Sequence, residues 1–157
     1  MKACFYYQNS NAPKPNKPNH IGVTAILLNN NNQLLLENRS DSNRWALIGG
    51  GLKIDETLEQ CLKREVYEET GLRITNYTFI DICDDPTRIV QYPDGNVLRI
   101  ISVVYKSHID FDYKLRISTE SNELKFFDID MLNDIDIVET HRHIINSYFN
   151  SSYDHKK

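Results

Sequence analysis

The apolar positions of the chain change rhythm several times, and the changes mark out its elements. Residues 21–28 and 33–37 are two β-prone runs separated by Asn29, Asn30, Asn31 and Asn32, residues that tolerate positive φ, so the pattern predicts a hairpin. Residues 44–48 read as a short strand that delivers the chain into a loop of three glycines, Gly49, Gly50 and Gly51. At Leu58 the spacing becomes helical: Leu58, Cys61 and Leu62 stand at i, i+3, i+4. Thr57 and Gln60 supply a capping-box pair at the start of that helix and Gly71 a C′ stop at its end. Residues 72–83 and 88–92 are strand-like, and Pro93, Asp94, Gly95 and Asn96 form a turn signal ahead of a strand over 97–109, which makes a second hairpin. A further strand is expected over 123–129, and Val138, Ile144, Ile145, Tyr148 and Phe149 space out a helix over 138–149. Residues 8–20, rich in Asn, Pro and Lys, read as an arm, residues 4–7 as a short edge strand and residues 150–157 as a frayed tail. Mostly antiparallel strands with helices laid on their faces argue for an α/β sandwich.

The acidic end of the Leu58 helix is where the pattern meets chemistry. At about 100° per residue, Glu65, Glu68 and Glu69 fall within roughly 100° of arc, and Glu65 and Glu69 continue the stripe begun by Leu58, Cys61 and Leu62. The carboxylates are therefore expected to point inward. Negative charge at a helix C-terminus opposes the macrodipole by about 0.3 to 1 kcal/mol per group, and desolvating an unpaired carboxylate costs several kcal/mol. A cation must offset both. Converging carboxylate oxygens suit Mg²⁺ or Mn²⁺, and no set of Cys and His ligands lies nearby to suit zinc.

The spacing Gly50, five residues, Glu56, seven residues, Arg64, Glu65, Val66, any residue, Glu68, Glu69, any residue, Gly71, Leu72 resembles the Nudix box of the Nudix hydrolases, with every defined position filled. One departure lies upstream, where many members carry Pro and this chain has Ile48; the exit from the strand is less stiff for it. The resemblance implies a Nudix-type α/β/α sandwich with a mixed, mostly antiparallel sheet, a single domain over residues 1–157 and a Mg²⁺ or Mn²⁺ cofactor. It also implies a ligand set of the Gly50 carbonyl, Glu56, Glu65, Glu68 and Glu69, with Arg64 orienting a catalytic carboxylate. Glu120, and after it Glu123, stand where members often bring a further glutamate as ligand or base, so the proton acceptor is Glu68 or Glu120.

The implied reaction is hydrolysis of a nucleoside diphosphate linked to another moiety. Pro86 stands near the place where a proline marks many ADP-ribose pyrophosphatases, while Arg88, Ile89 and Val90 replace the tyrosine expected of many diadenosine polyphosphate hydrolases. ADP-ribose or a nucleotide sugar is thus placed first and a noncanonical nucleoside triphosphate second. The alternative is an inactive nucleotide-binding sensor on the same fold.

Composition narrows the partners. At 157 residues with a formal charge of −4, the chain lacks the basic excess of a nonspecific nucleic-acid binder, so a small-molecule nucleotide is expected, no nucleic acid and no membrane. No stretch approaches the roughly 18 apolar residues of a membrane span. Cys4, Cys61 and Cys83 form no Cys-x-x-Cys pair and read as buried thiols of a cytoplasmic protein. Arg39, Arg44 and Arg88 are cations available for phosphate, and Trp45 and Tyr92 are rings available for a base. His141 and His143, two apart on a helix, make a poor metal pair and receive no role. A homodimer is left open.

Overall fold

The computed structural model describes residues 2–110 and 114–154. In chain order its strands are β1 (Cys4–Tyr6), β2 (His20–Leu28), β3 (Leu34–Arg39), β4 (Trp45–Ala46), β5 (Ile48–Gly51), β6 (Thr78–Cys83), β7 (Ile89–Gln91), β8 (Val97–His108) and β9 (Ser121–Phe127). Helix α1 (Leu58–Thr70) follows β5, and α2 (Glu139–Asp154) comes last. The strands join in the order β1-β7-β8-β2-β3-β4, with β5 also on β2, β6 on β8 and β9 on β3. All these pairs are antiparallel except the long central one, where β2 and β8 run parallel from His20 opposite Ile100 to Leu28 opposite His108.

Alternation along β2 explains why helices cover both faces. Val23, Ala25 and Leu27 pack with Cys61, Leu62 and Val66 of α1, while Ile26 and Leu28 face the other way, into a cluster with Leu34, Leu36, Leu47 and the α2 residues Ile144 and Ile145. The α/β/α sandwich expected from the sequence is present. Each fully buried Leu or Val contributes roughly 1.5 to 3 kcal/mol, so the apolar face of α1 can hold the helix in place against the repulsion at its acidic end. The predicted caps are in place: Thr57 Oγ1 accepts from Gln60 N–H at 3.1 Å, Gln60 Oε1 accepts from Thr57 N–H at 2.8 Å, and Gly71 closes the helix at φ 78°. Among the described residues, no helix is long and apolar enough to cross a membrane.

Several boundaries differ from the sequence reading. The strand expected over 44–48 is broken at Leu47, whose N–H donates to His141 Nδ1 at 3.0 Å, and the glycines are not a loop but most of strand β5. Asn32 takes the expected positive φ, yet β2 and β3 pair only at Leu28 and Leu34, because β3 takes β9 as its main partner. Residues 72–77 wrap the end of α1, with Leu72, Ile74 and Tyr77 packed on the core below it, and the strand begins only at Thr78. Helix α2 runs on to Asp154, past the start of the expected tail, of which residues 155–157 lie outside the described residues. Cys61 is buried as expected, but Cys4 is exposed and Cys83 half-buried.

Candidate active site

Arg64 organises the acidic end of α1. Its Nε and Nη2 donate to the two Glu56 oxygens at 2.9 and 2.6 Å, Nη1 reaches Glu65 Oε1 at 2.7 Å and Glu68 Oε2 at 3.1 Å, and Nη2 also donates to the Gly51 carbonyl at 2.9 Å. The planar guanidinium makes this possible, since it presents its donors as a rigid fork. The contact with Arg64 and the Lys53 N–H hold the Glu56 carboxyl down at about 2, whereas burial pushes the Glu65 carboxyl up despite the same arginine.

A second pair of acids lies deeper. Glu69 and Glu37 are both almost fully buried, at 5% and 3% exposure. Burial raises both carboxyls, and their proximity raises Glu69 further. Glu37 Oε2 accepts from Ser121 Oγ at 2.6 Å, Glu69 Oε2 has a 3.4 Å contact from Gly49 N–H, and the two carboxyls are close enough to share a hydrogen bond. Among the described residues neither group forms an ion pair, although Arg39 lies near enough to favour the charged form of Glu37. Glu37 was missed by sequence reasoning, although a signal existed: in the apolar run of β3 it lies two residues beyond Leu35, on the face turned toward α1.

These groups open into a cavity of about 690 Å³ walled by Glu37, Asp41, Glu65, Glu68, Glu69 and Glu120, with His20, Arg39, Ser40, the three glycines, Tyr92, Ser118 and Thr119. Strand β5 forms its floor at close quarters. A methyl group on Gly50 would stand 2.3 Å from Glu65 Cδ, and one on Gly51 would stand 2.6 Å from His20 Cε1. Past His20, Gly50 and Tyr92 a smaller recess continues between Phe5, Val90, Ile100 and His141.

The predicted residues divide cleanly by position. Gly50, Glu65, Glu68, Glu69, Glu120, Arg39 and Tyr92 line the cavity; His20, Asp41, Ser118 and Thr119 were not foreseen there. Not all the carboxylates turn inward: the Glu68 side chain is 52% exposed at the rim. Glu56, expected among the metal ligands, stands behind Arg64 and outside the cavity wall, with both oxygens bonded to that arginine.

Three of the substrate-contact candidates also lie elsewhere. Arg44 is tied to Asp136, Glu139 and the Ile137 carbonyl at the start of α2. Trp45 packs edge-on against Phe127. Arg88 is 0% exposed and donates to His143 Nε2, Ser102 Oγ and the carbonyls of Cys83, Ile100 and Thr140, so its charge holds strands and helix together and does not reach a ligand. Arg39, inside the cavity, is already held by both Asp41 oxygens at 2.9 and 2.6 Å. Glu123 is exposed on β9, away from the cavity.

The family model described as NUDIX domain matches residues 18–148. The chain belongs to the Nudix family. It is 32% identical over 131 residues to nucleoside triphosphatase NudI of Enterobacter sp. (strain 638), covering 76% of this chain and 89% of that protein. It is 27% identical over 117 residues to the NAD-capped RNA hydrolase NudC of Vibrio atlanticus, where the match covers 73% of this chain but only 40% of the relative's length. Among solved structures, the NUDIX domain of Shewanella oneidensis NrtR, a complex with ADP ribose, superposes with a TM-score of 0.70 at 20% identity, covering 90% of this chain and 94% of that one. That likeness concerns the fold.

A divalent ion fits the chemistry of this Nudix site. Every candidate donor is a hard oxygen, from Glu65, Glu68, Glu69 and the Gly50 carbonyl, and Glu69 is a buried acid with no cation beside it. As the side chains stand, no three acid, histidine or cysteine groups among the described residues form a ready ligand set. Arg64 engages one oxygen of each of the two neighbouring acids, Glu65 Oε1 and Glu68 Oε2, which leaves the other oxygen of each for an ion.

Proposed function

We propose that the protein is a metal-dependent Nudix pyrophosphohydrolase that cleaves the diphosphate linkage of a nucleoside diphosphate derivative. The observation that carries the reading is the buried Glu37–Glu69 pair beside Glu65 and Glu68 in one acidic cavity, a gathering of acids that Arg39, held by Asp41, and Arg64, shared among three glutamates, offset only in part. Glu65, Glu68, Glu69 and the Gly50 carbonyl would hold Mg²⁺ or Mn²⁺, which when bound supplies a counter-charge for the diphosphate and acidifies a water. The chain's own residues do the rest. Arg64 fixes Glu65 and Glu68 relative to the Gly51 carbonyl, so that the carboxylates are oriented before substrate arrives. Glu68, exposed at the rim, accepts the proton of the attacking water as its oxygen bonds to phosphorus and the bridging oxygen leaves; Glu120 across the cavity is the second candidate for that task. The cavity of about 690 Å³ takes the nucleotide, with the Tyr92 ring on its wall available to the base, since the recess beyond it, about 90 Å³, is too small for a nucleoside.

Two substrate classes remain in view. ADP-ribose or a nucleotide sugar accords with the proline at position 86, and a nucleoside triphosphate accords with the NudI relative, which this chain matches over most of its length. A panel of both classes with Mg²⁺ or Mn²⁺, scored for released monophosphate, phosphate and pyrophosphate, separates them. Glu68→Gln and Glu69→Gln are each expected to lower turnover by at least about 100-fold while the fold persists. Tight binding of one panel member with no turnover of any would replace the enzyme by a nucleotide sensor.

A further inference from the structure

Just outside the acidic cavity, the end of α1 carries the opposite charge. The Tyr67 ring has the Arg73 guanidinium 4.3 Å from its centroid and the Arg116 guanidinium 5.1 Å from it. Neither arginine takes part in an ion pair among the described residues, and both are exposed. Two like charges on one ring repel each other, and hydrogen bonding of Arg116 and Arg73 to the Tyr67 hydroxyl offsets only part of that. Backbone geometry holds the arrangement: Arg116 N–H donates to the Thr70 carbonyl at 2.8 Å, and Arg116 Cβ lies 3.1 Å from where a Gly71 Cβ would stand. The cap glycine thus admits the segment that carries Arg116. Both arginines, Arg116 first, draw the Tyr67 hydroxyl below its ordinary pKa.

This cationic pair is close to the catalytic wall. From Arg116 the chain takes two residues, at most about 7 Å, to reach Ser118, which lines the acidic cavity with Thr119 and Glu120. On α1, Tyr67 directly precedes Glu68. A cation near a helix C-terminus is favourable on its own account, but that effect does not require two exposed guanidinium groups gathered on one ring with no ion-pair partner among the described residues.

We propose that Arg73 and Arg116, with Tyr67 as their platform, form a phosphate subsite that takes a phosphate lying outside the anhydride to be cleaved. The inference rests on the hydrolase reading of the adjoining cavity. Guanidinium forks match phosphate oxygens in pairs, and an exposed pair already desolvated on one side by an aromatic face binds a dianion better than separate surface cations do. Such a phosphate has two sources: a second phosphate on the ribose of a mononucleotide, or the next phosphodiester at the 5′ end of an oligonucleotide.

The test is calorimetry on the full chain with three probes: AMP, adenosine 3′,5′-bisphosphate and a 5′-phosphorylated adenine trinucleotide. At least one of the two probes with an added phosphate is expected to bind roughly tenfold tighter than AMP, with the advantage shrinking to within about twofold in the double variant Arg73→Gln, Arg116→Gln. Tighter binding of the bisphosphate assigns the ribose phosphate, and tighter binding of the trinucleotide alone assigns the oligonucleotide. The single variant Arg116→Lys, which keeps the charge and loses the fork, should retain part of the advantage and covers the case of a double variant that does not fold. Equal affinity for all three probes, or an advantage that survives the double variant, overturns the proposal. Failure of the hydrolase reading would appear separately, as no turnover of any nucleotide with Mg²⁺ beside an intact binding advantage.

Discussion

Arg64 meets demands that no other side chain type could meet at its position. It touches Glu56 with two nitrogens, spans Glu65 and Glu68 with a third, and fixes the Gly51 carbonyl. Lysine would bring the same charge but only a point contact, without the planar fork. Arg64→Lys is therefore expected to keep the fold and to lower turnover about 10- to 100-fold, with half-saturating Mg²⁺ raised, because the carboxylates lose their shared reference point. A metal titration of activity checks this; turnover and metal dependence like those of the unaltered chain would leave Arg64 with charge neutralisation alone. The i, i+4 relation of Arg64 to Glu68 was visible in the sequence, whereas the Glu56 and Gly51 contacts depend on how β5 and the 52–57 segment fold back over the helix.

Among the elements, β5 differs most from its sequence appearance. Glycines carry no hydrophobic rhythm, so periodicity cannot show a strand of Ile48, Gly49, Gly50 and Gly51 and suggests a loop instead. Its glycines have unequal duties. A Cβ on Gly49 would come within 2.1 Å of the Val23 backbone carbonyl, which cannot move without breaking the β2–β5 pairing, while the three atoms nearest a Cβ on Gly50 all belong to the Glu65 carboxyl, the far end of a side chain. Gly49→Ala is thus expected to destabilise the fold by several kcal/mol, and Gly50→Ala to leave melting within a few degrees while displacing Glu65 and cutting turnover. Thermal melts beside rate measurements separate the two, and equal losses of stability would show that Gly50 too is packed against backbone. Helix α1, by contrast, was legible throughout, since its caps, apolar stripe and box spacing are all local in sequence. What stayed hidden is long-range: Glu37 joins the site because β3 packs beneath α1, and Arg88 leaves the candidate list because its strand end is covered by α2.

At the scale of the whole molecule, buried ionisable groups on both sides of the sheet pull stability in opposite directions with pH. His143 accepts from Arg88 at 2.8 Å and is lowered to about 4, chiefly by burial and then by that arginine; His141, whose Nδ1 accepts from Leu47 N–H, is also lowered well below its ordinary value by burial. Folding keeps these imidazoles neutral, so between their ordinary value of 6.5 and the folded value the unfolded chain binds more protons, and stability drops as pH falls through that window. Glu37 and Glu69 act in the reverse sense. Their carboxyls are raised above 4.5 by burial, so the folded chain retains protons that the unfolded chain releases, and stability drops as pH climbs from there. Above about pH 6.5 the opposing histidine effect fades and is spent about one unit higher, while the carboxylate effect continues. Protein stripped of metal should accordingly melt lower at pH 8 than at pH 6.5. Glu69→Gln, which imitates the protonated acid, should raise the metal-free melting point at pH 8 by at least about 1 kcal/mol, or about 3 °C for a chain of this size. Mg²⁺, binding the ionised carboxylates, should stabilise the unaltered chain more at pH 8 than at pH 6.5, and should do little for Glu69→Gln. Scanning fluorimetry across this range with and without Mg²⁺ tests all three. A metal-free melting point that climbs from pH 6.5 to pH 8, or a Glu69→Gln variant that melts lower at pH 8, would mean that Arg64 and Arg39 already neutralise the cavity and that no divalent cation is needed to complete it.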